Sequence, residues 1–83
     1  MATRDEILEG VIDAVAESYE LDASAVTEDL DFAAQPNNSS SKVLKTALFI
    51  GENLDLEDDL EFEDLADLAT VKDVVDMLVE RLG

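Results

Sequence analysis

Histidine, cysteine and tryptophan are missing from this chain, and proline occurs once. Each absence excludes a class of chemistry. Without Cys there is no disulfide, thiolate metal site or thiol nucleophile, and nothing ties the chain to an oxidising compartment. Without His the usual general base and the commonest transition-metal ligand are gone, so reactive chemistry here needs an added group. Cations are scarce too: 5 Lys and Arg stand against 22 Asp and Glu, for a formal net charge of -17. Five scattered cations cannot form the basic stripe that nucleic-acid backbones require, so the expected partners are basic protein surfaces. No apolar run approaches the ~18 residues of a membrane span, and the N-terminus is charged from Arg4 onward. The expected location is the cytoplasm.

What is present suffices for one small core. At 83 residues the chain has room for a single domain, spanning 1–83. Leu, Ile, Val and Phe make up 26 of the 83, above the roughly 20% below which acidic chains stay disordered. The expectation is a folded monomer under electrostatic stress, tightened by salt or divalent cations.

Hydrophobic spacing then divides the chain. Over residues 3–19, Ile7, Leu8, Val11, Ile12, Val15 and Tyr19 recur at helical intervals, behind a Thr3/Glu6 capping box. Residues 20–39 lose the period and gather Asp, Ser, Pro and Asn, which reads as a long connection with at most one helical turn. Connections of that length tend to be functional. The helical period returns over residues 40–54 through Val43, Leu44, Ala47, Leu48, Ile50 and Leu54, with Ser39 as the expected N-cap. A short third helix is expected at 61–68. The apolar and acidic alternation from Leu54 to Phe62 also suggests a strand, but no second strand exists to pair with it. The fourth helix should run 71–82, behind Thr70 and its capping partner Asp73. The expected fold is all-α, a small four-helix bundle with a long first loop and a short third helix.

Several of these residues fall in a known pattern. Val26, Thr27 and Phe32 in the first loop, Glu52-Asn53-Leu54-Asp55-Leu56 at the end of the second helix, and Thr70-Val71 followed by Val74-Val75-Asp76 resemble the acyl carrier proteins. The resemblance spans nearly the whole chain. These proteins carry acyl groups as thioesters on a 4'-phosphopantetheine arm attached to a serine that opens the second helix. Counting forward from Phe32, or backward from Glu52, the family's register reaches Ser40. The family's Asp-Ser-Leu is replaced here by Ser39-Ser40-Ser41, and its Leu-Gly before the motif by Pro36-Asn37.

The resemblance implies a covalent 4'-phosphopantetheine taken from coenzyme A, with Ser40 as its attachment point and Ser39 as the cap. Ser39 and Ser41 are the alternative hydroxyls. Implied partners are a phosphopantetheinyl transferase and acyl-loading or acyl-processing enzymes such as ketosynthases and acyltransferases. The chain itself would not be an enzyme. A phosphodiester on Ser40 would lie in the first turn of a helix, whose free N–H groups and dipole favour an anion, and Lys42 would add positive charge. Two further expectations concern helix faces. At 100° per residue, Lys42, Lys45, Phe49 and Glu52 fall opposite Val43, Ala47, Ile50 and Leu54. That places two cations and an exposed aromatic where the family is typically acidic, and implies a dedicated enzyme set in a specialised fatty-acid, lipid or polyketide pathway. Val43, Ala47, Phe62, Leu65 and Val74 would line the family's acyl pocket.

The acidic run from Glu57 to Asp67 lacks the glycine turn of a calcium loop and reads as a solvated face, with no metal site expected. Two other readings compete with the acyl carrier. One is an aminoacyl or peptidyl carrier, which shares the arm. The other is an unmodified acidic helical interaction domain that binds a basic partner, favoured by the broken tripeptide. A hydrolase is a distant third, because no placed base, oxyanion donor or cleft is legible.

Overall fold

The computed structural model describes residues 3–82, which form four α-helices and no strand among the described residues. Helix α1 spans Arg4–Tyr19, α2 Ser40–Asn53, α3 Phe62–Ala66 and α4 Val71–Leu82. The bundle is the all-α one that the spacing predicts. Its core draws Ile7, Val11 and Val15 from α1, Ala47 and Ile50 from α2, and Val71, Val74 and Leu78 from α4, all no more than 1% exposed. Burial of each large aliphatic side chain contributes roughly 1.5 to 3 kcal/mol. Val26, Leu60 and Leu65 close the core from the connections and from α3.

The helix starts match the caps read from the sequence. Thr3 Oγ1 accepts from Glu6 N–H at 3.2 Å, and Thr3 N–H donates to the Glu6 carboxylate at 3.1 Å. At α4, Asp73 N–H donates to Thr70 Oγ1 (3.3 Å) and Thr70 N–H donates to Asp73 Oδ2 (3.2 Å). Helix α3 is shorter than predicted at both ends. Its cap is Glu61, whose N–H donates to Asp64 Oδ2 at 2.8 Å, and it stops at Ala66. Helix α2 ends one residue early, at Asn53.

The long first connection is ordered by α4. It contains two 3-10 turns rather than one, Ala23–Ala25 and Phe32–Ala34, and Asp31 caps the second by accepting from Ala33 N–H at 3.0 Å. The first N–H groups of a helix have no partner within it. Here Val71 N–H donates to the Leu30 carbonyl at 3.2 Å and Lys72 N–H to the Glu28 carbonyl at 3.0 Å, while Phe32 N–H returns a bond to Ala69 at 3.0 Å. Asp31 and Thr70 thereby form an isolated antiparallel bridge, with no strand around it. Arg4 adds ion pairs to Glu28 at 2.5 Å and to Asp76 at 3.2 Å.

The two helical glycines described here have opposite roles. At Gly10 the helices α1 and α2 approach closely: a Cβ there would lie 2.6 Å from Leu54 Cδ2, and the Gly10 carbonyl accepts from Asn53 Nδ2 at 3.1 Å. At Gly51 a Cβ would meet nothing within 4 Å, and the backbone does not take positive φ. Gly in a helix costs up to about 1 kcal/mol relative to Ala. Gly51→Ala is therefore expected to stabilise the fold by roughly 0.5 to 1 kcal/mol, measured as a raised urea midpoint at unchanged slope; an unchanged or lowered midpoint contradicts it.

Candidate functional site

The candidate site is built where the first connection enters α2. Ser39 is in extended conformation (φ -160°, ψ 166°), and its Oγ accepts from Lys42 N–H at 3.2 Å. Ser40 is the first helical residue, and Ser40 and Ser41 are both exposed. Of the three hydroxyls, only that of Ser39 hydrogen-bonds to another described residue. The cap thus occupies Ser39 and leaves Ser40 free at the positive end of the helix.

The charge around that end is unusual for this chain. Helix α1 has Asp5 and Glu6 in its first turn, α3 has Glu63 and Asp64, and α4 has Asp73; α2 has no acid in its first turn. Carboxylates at a helix start neutralise the dipole and occupy the space an incoming anion would need. At α2 no residue of the first turn supplies such a carboxylate.

The approach to Ser40 is anchored by Tyr19, Asn37 and Asn38, none of which is an expected site residue. Tyr19, at the end of α1, donates its hydroxyl to Asn38 Oδ1 at 2.7 Å, and its carbonyl accepts from Asn37 Nδ2 at 3.2 Å. Its ring stacks on Phe32, with centroids 6.0 Å apart and 29° between planes. Burial pushes the Tyr19 phenol above its usual pKa, which keeps it protonated as a donor. Asn37-Asn38 thus hold the loop from outside the usual motif. The legible signal was Tyr19 at the last apolar position of α1, followed by two side-chain amides just before the cap.

A cavity of about 290 Å³ opens beside this loop, walled by Tyr19, Phe32, Val43, Thr46, Leu65 and Leu68, with Asp31 and Asn38 also on its lining. Of the five predicted pocket residues, Val43 and Leu65 line it. Ala47 and Val74 do not: they are packed into filled core at 1% and 0% exposure. Phe62 is half-buried and also lies off its wall. The space falls between the first connection and the segment joining α3 to α4, bounded by Val43 and Thr46 of α2 and by Leu65 of α3.

The outer face of α2 also differs from the one predicted. Thr46 is buried at 2% exposure, where its Oγ1 donates to the Lys42 carbonyl at 2.8 Å and sits 2.6 Å from Ser18 Oγ of α1. A satisfied hydroxyl pair makes that burial tolerable, and it turns the helix about its axis. Lys42 is drawn inward, its side chain 19% exposed and its Nζ 3.8 Å from Glu20. Phe49, expected to be exposed, is half-buried against the core. Lys45 and Glu52 do face outward, and the exposed apolar residues of α2 are Leu44 (47%) and Leu48 (53%). Arg4, Lys42, Lys72 and Arg81 each pair with a carboxylate; among the described residues Lys45 is the one cation that does not.

No three carboxylates among the described residues converge as a metal site, and no described helix is long and apolar enough to cross a membrane. The sequence matches no protein-family model and no curated protein.

Proposed function

We propose that the chain is an acyl carrier, modified by 4'-phosphopantetheine on Ser40. The observation that carries this reading is the free, exposed hydroxyl of Ser40 on the one described α-helix whose first turn holds no acid, in the register that the family resemblance gives. The residues fit the group. Ser40 Oγ would provide the ester oxygen, the N–H groups of the first turn of α2 would favour its negative charge, and Ser39 Oγ, which accepts from Lys42 N–H, would hold the turn. In the transfer, Ser40 Oγ displaces the adenosine bisphosphate half of coenzyme A at the pyrophosphate, and the hydroxyl proton is lost to the transferase. The arm's thiol supplies the nucleophile that a chain without Cys or His lacks.

The same reading makes the protein a non-catalytic cytoplasmic monomer that serves acyl-loading and acyl-processing enzymes of a fatty-acid, lipid or polyketide pathway. The cavity walled by Val43 and Leu65 is its candidate acyl shelter. An aminoacyl or peptidyl carrier would use the same serine; the strong acidity favours the acyl type.

The test is intact mass after incubation with coenzyme A, Mg and a permissive transferase. One phosphopantetheine increment is expected on the wild type and on Ser39→Ala and Ser41→Ala, and none on Ser40→Ala. Ser39→Ala should lose about 1 kcal/mol of stability with its cap while keeping the increment. Retention of the increment in Ser40→Ala would refute the assignment. No increment on the wild type, together with tight binding to a basic protein, would establish instead the unmodified acidic interaction domain, the reading that the Ser39-Ser40-Ser41 departure favours.

A further inference from the structure

The acids of this chain leave a gap. Residues 32–51 contain no Asp or Glu, while the other 63 residues hold all 22. That window covers the loop before Ser40 and nearly all of α2, and its only charges are Lys42 and Lys45. Within it, Ser40, Leu44, Leu48 and Gly51 follow one another at four- and three-residue steps, so they lie along one side of the helix, with Lys45 beside them. Two of the three exposed large apolar side chains of the described residues are Leu44 and Leu48.

Gly51 is the second, independent sign. Neither packing nor backbone conformation requires a glycine there, and the helix would be more stable without it. Gly51 is half-buried with open space along its Cβ direction, and a bare backbone there makes sense where another molecule comes close, as Leu54 does to Gly10 inside the fold.

We propose that the enzymes that act at Ser40 dock along Leu44, Leu48 and Gly51 with an apolar, non-basic contact surface that carries one carboxylate opposite Lys45. This rests on the carrier reading and specifies its partner. The -17 net charge draws basic surfaces from a distance, but a basic contact surface pressed onto this window would meet Lys45, the cation without an internal partner, and no acid before Glu52. Apolar side chains against Leu44 and Leu48, an acceptor for Lys45, and a polar rim that reaches the surrounding acids give the usual layout of a specific interface.

The test compares two purified phosphopantetheinyl transferases with coenzyme A, one whose carrier-contact surface is apolar and one whose surface is basic. The apolar-surface enzyme is expected to modify the wild type with about tenfold higher kcat/KM, and Leu48→Ser and Gly51→Gln should each lower that value about tenfold, through KM. Gly51→Gln should raise Tm at the same time, which separates lost docking from lost fold. Lys45→Glu should slow the apolar-surface enzyme and speed the basic one. Equal or better modification by the basic-surface enzyme, or an unchanged KM in Leu48→Ser and Gly51→Gln, overturns the docking inference and leaves the carrier reading in place. No modification of wild-type Ser40 by either enzyme overturns both.

Discussion

Ile50→Ala is expected to destabilise the fold by about 3 kcal/mol, while Leu48→Ala, two residues earlier on the same helix, should change stability by less than about 0.5 kcal/mol. Ile50 is 0% exposed and Leu48 is 53% exposed. Truncating Ile50 removes roughly three buried carbon groups and leaves a hole in a core whose other members, such as Val11, Val15 and Leu78, are each 0% exposed and closely packed. For a domain of this length, total stability is about 4 to 12 kcal/mol, so the Ile50 variant forfeits a large part of it. Urea unfolding followed by far-UV circular dichroism measures both variants. Similar losses for the two would mean that α2 is rotated from the orientation described.

That orientation is where the sequence reading and the structure part. Spacing alone placed α1, α2 and α4 and three of their caps, because aliphatic residues at three- and four-residue intervals and a Ser or Thr cap are local signals. It could not give the rotation of α2. Val43, Ala47, Ile50 and Leu54 define a face, but how far the buried arc extends to either side depends on Thr46, a residue whose polarity says outside. Its burial is decided by Ser18, 28 residues away, whose hydroxyl lies 2.6 Å off. Once Thr46 is inside, Phe49 follows it and Leu44 and Leu48 come out.

The site was legible to a similar depth. Ser39 as cap and Ser40 as first helical residue follow from local chemistry, and both stand. The anchoring of the loop by Tyr19, Asn37 and Asn38 depends on a contact between the end of α1 and the start of α2, and the cavity depends on how the first connection lies along α4. Neither has a sequence period. The bonds from Val71 and Lys72 to Leu30 and Glu28 explain why a connection of some twenty residues can be ordered with only two 3-10 turns of its own: it satisfies the start of another helix.

Added salt should raise the melting temperature of this protein by more than about 10 °C between roughly 10 mM and 500 mM NaCl, against the usual expectation for ion-paired proteins. Five ion pairs are present among the described residues, but pairs this exposed contribute about 0 to 1 kcal/mol each, so screening them costs at most a few kcal/mol. The opposing effect is larger. Two charges about 20 Å apart in water repel by about 0.2 kcal/mol, and a net charge of -17 held within a radius of gyration of 11.3 Å sums well over a hundred such pairs. Unfolding to a radius of roughly 28 Å relieves more than half of that repulsion, so it weighs on the folded state by several kcal/mol at low salt. At high salt, where this repulsion is screened, acid should act through the capping and paired carboxylates. The Thr3 N–H and hydroxyl hold Glu6 below the usual carboxylate pKa; the Glu61 N–H and then Arg81 do so for Asp64, and Lys72 and then Arg4 for Asp76. Because these pKa values are lower in the folded state than in the unfolded one, their contribution is complete above about pH 5 and is lost as the pH falls through 4 and below. Thermal melts across NaCl concentration at pH 7, and across pH at 500 mM NaCl, measure the two effects separately. A melting temperature that falls with added salt would show that the ion pairs outweigh the repulsion, and one that stays level below pH 4 would show that the three carboxylates are not held as described.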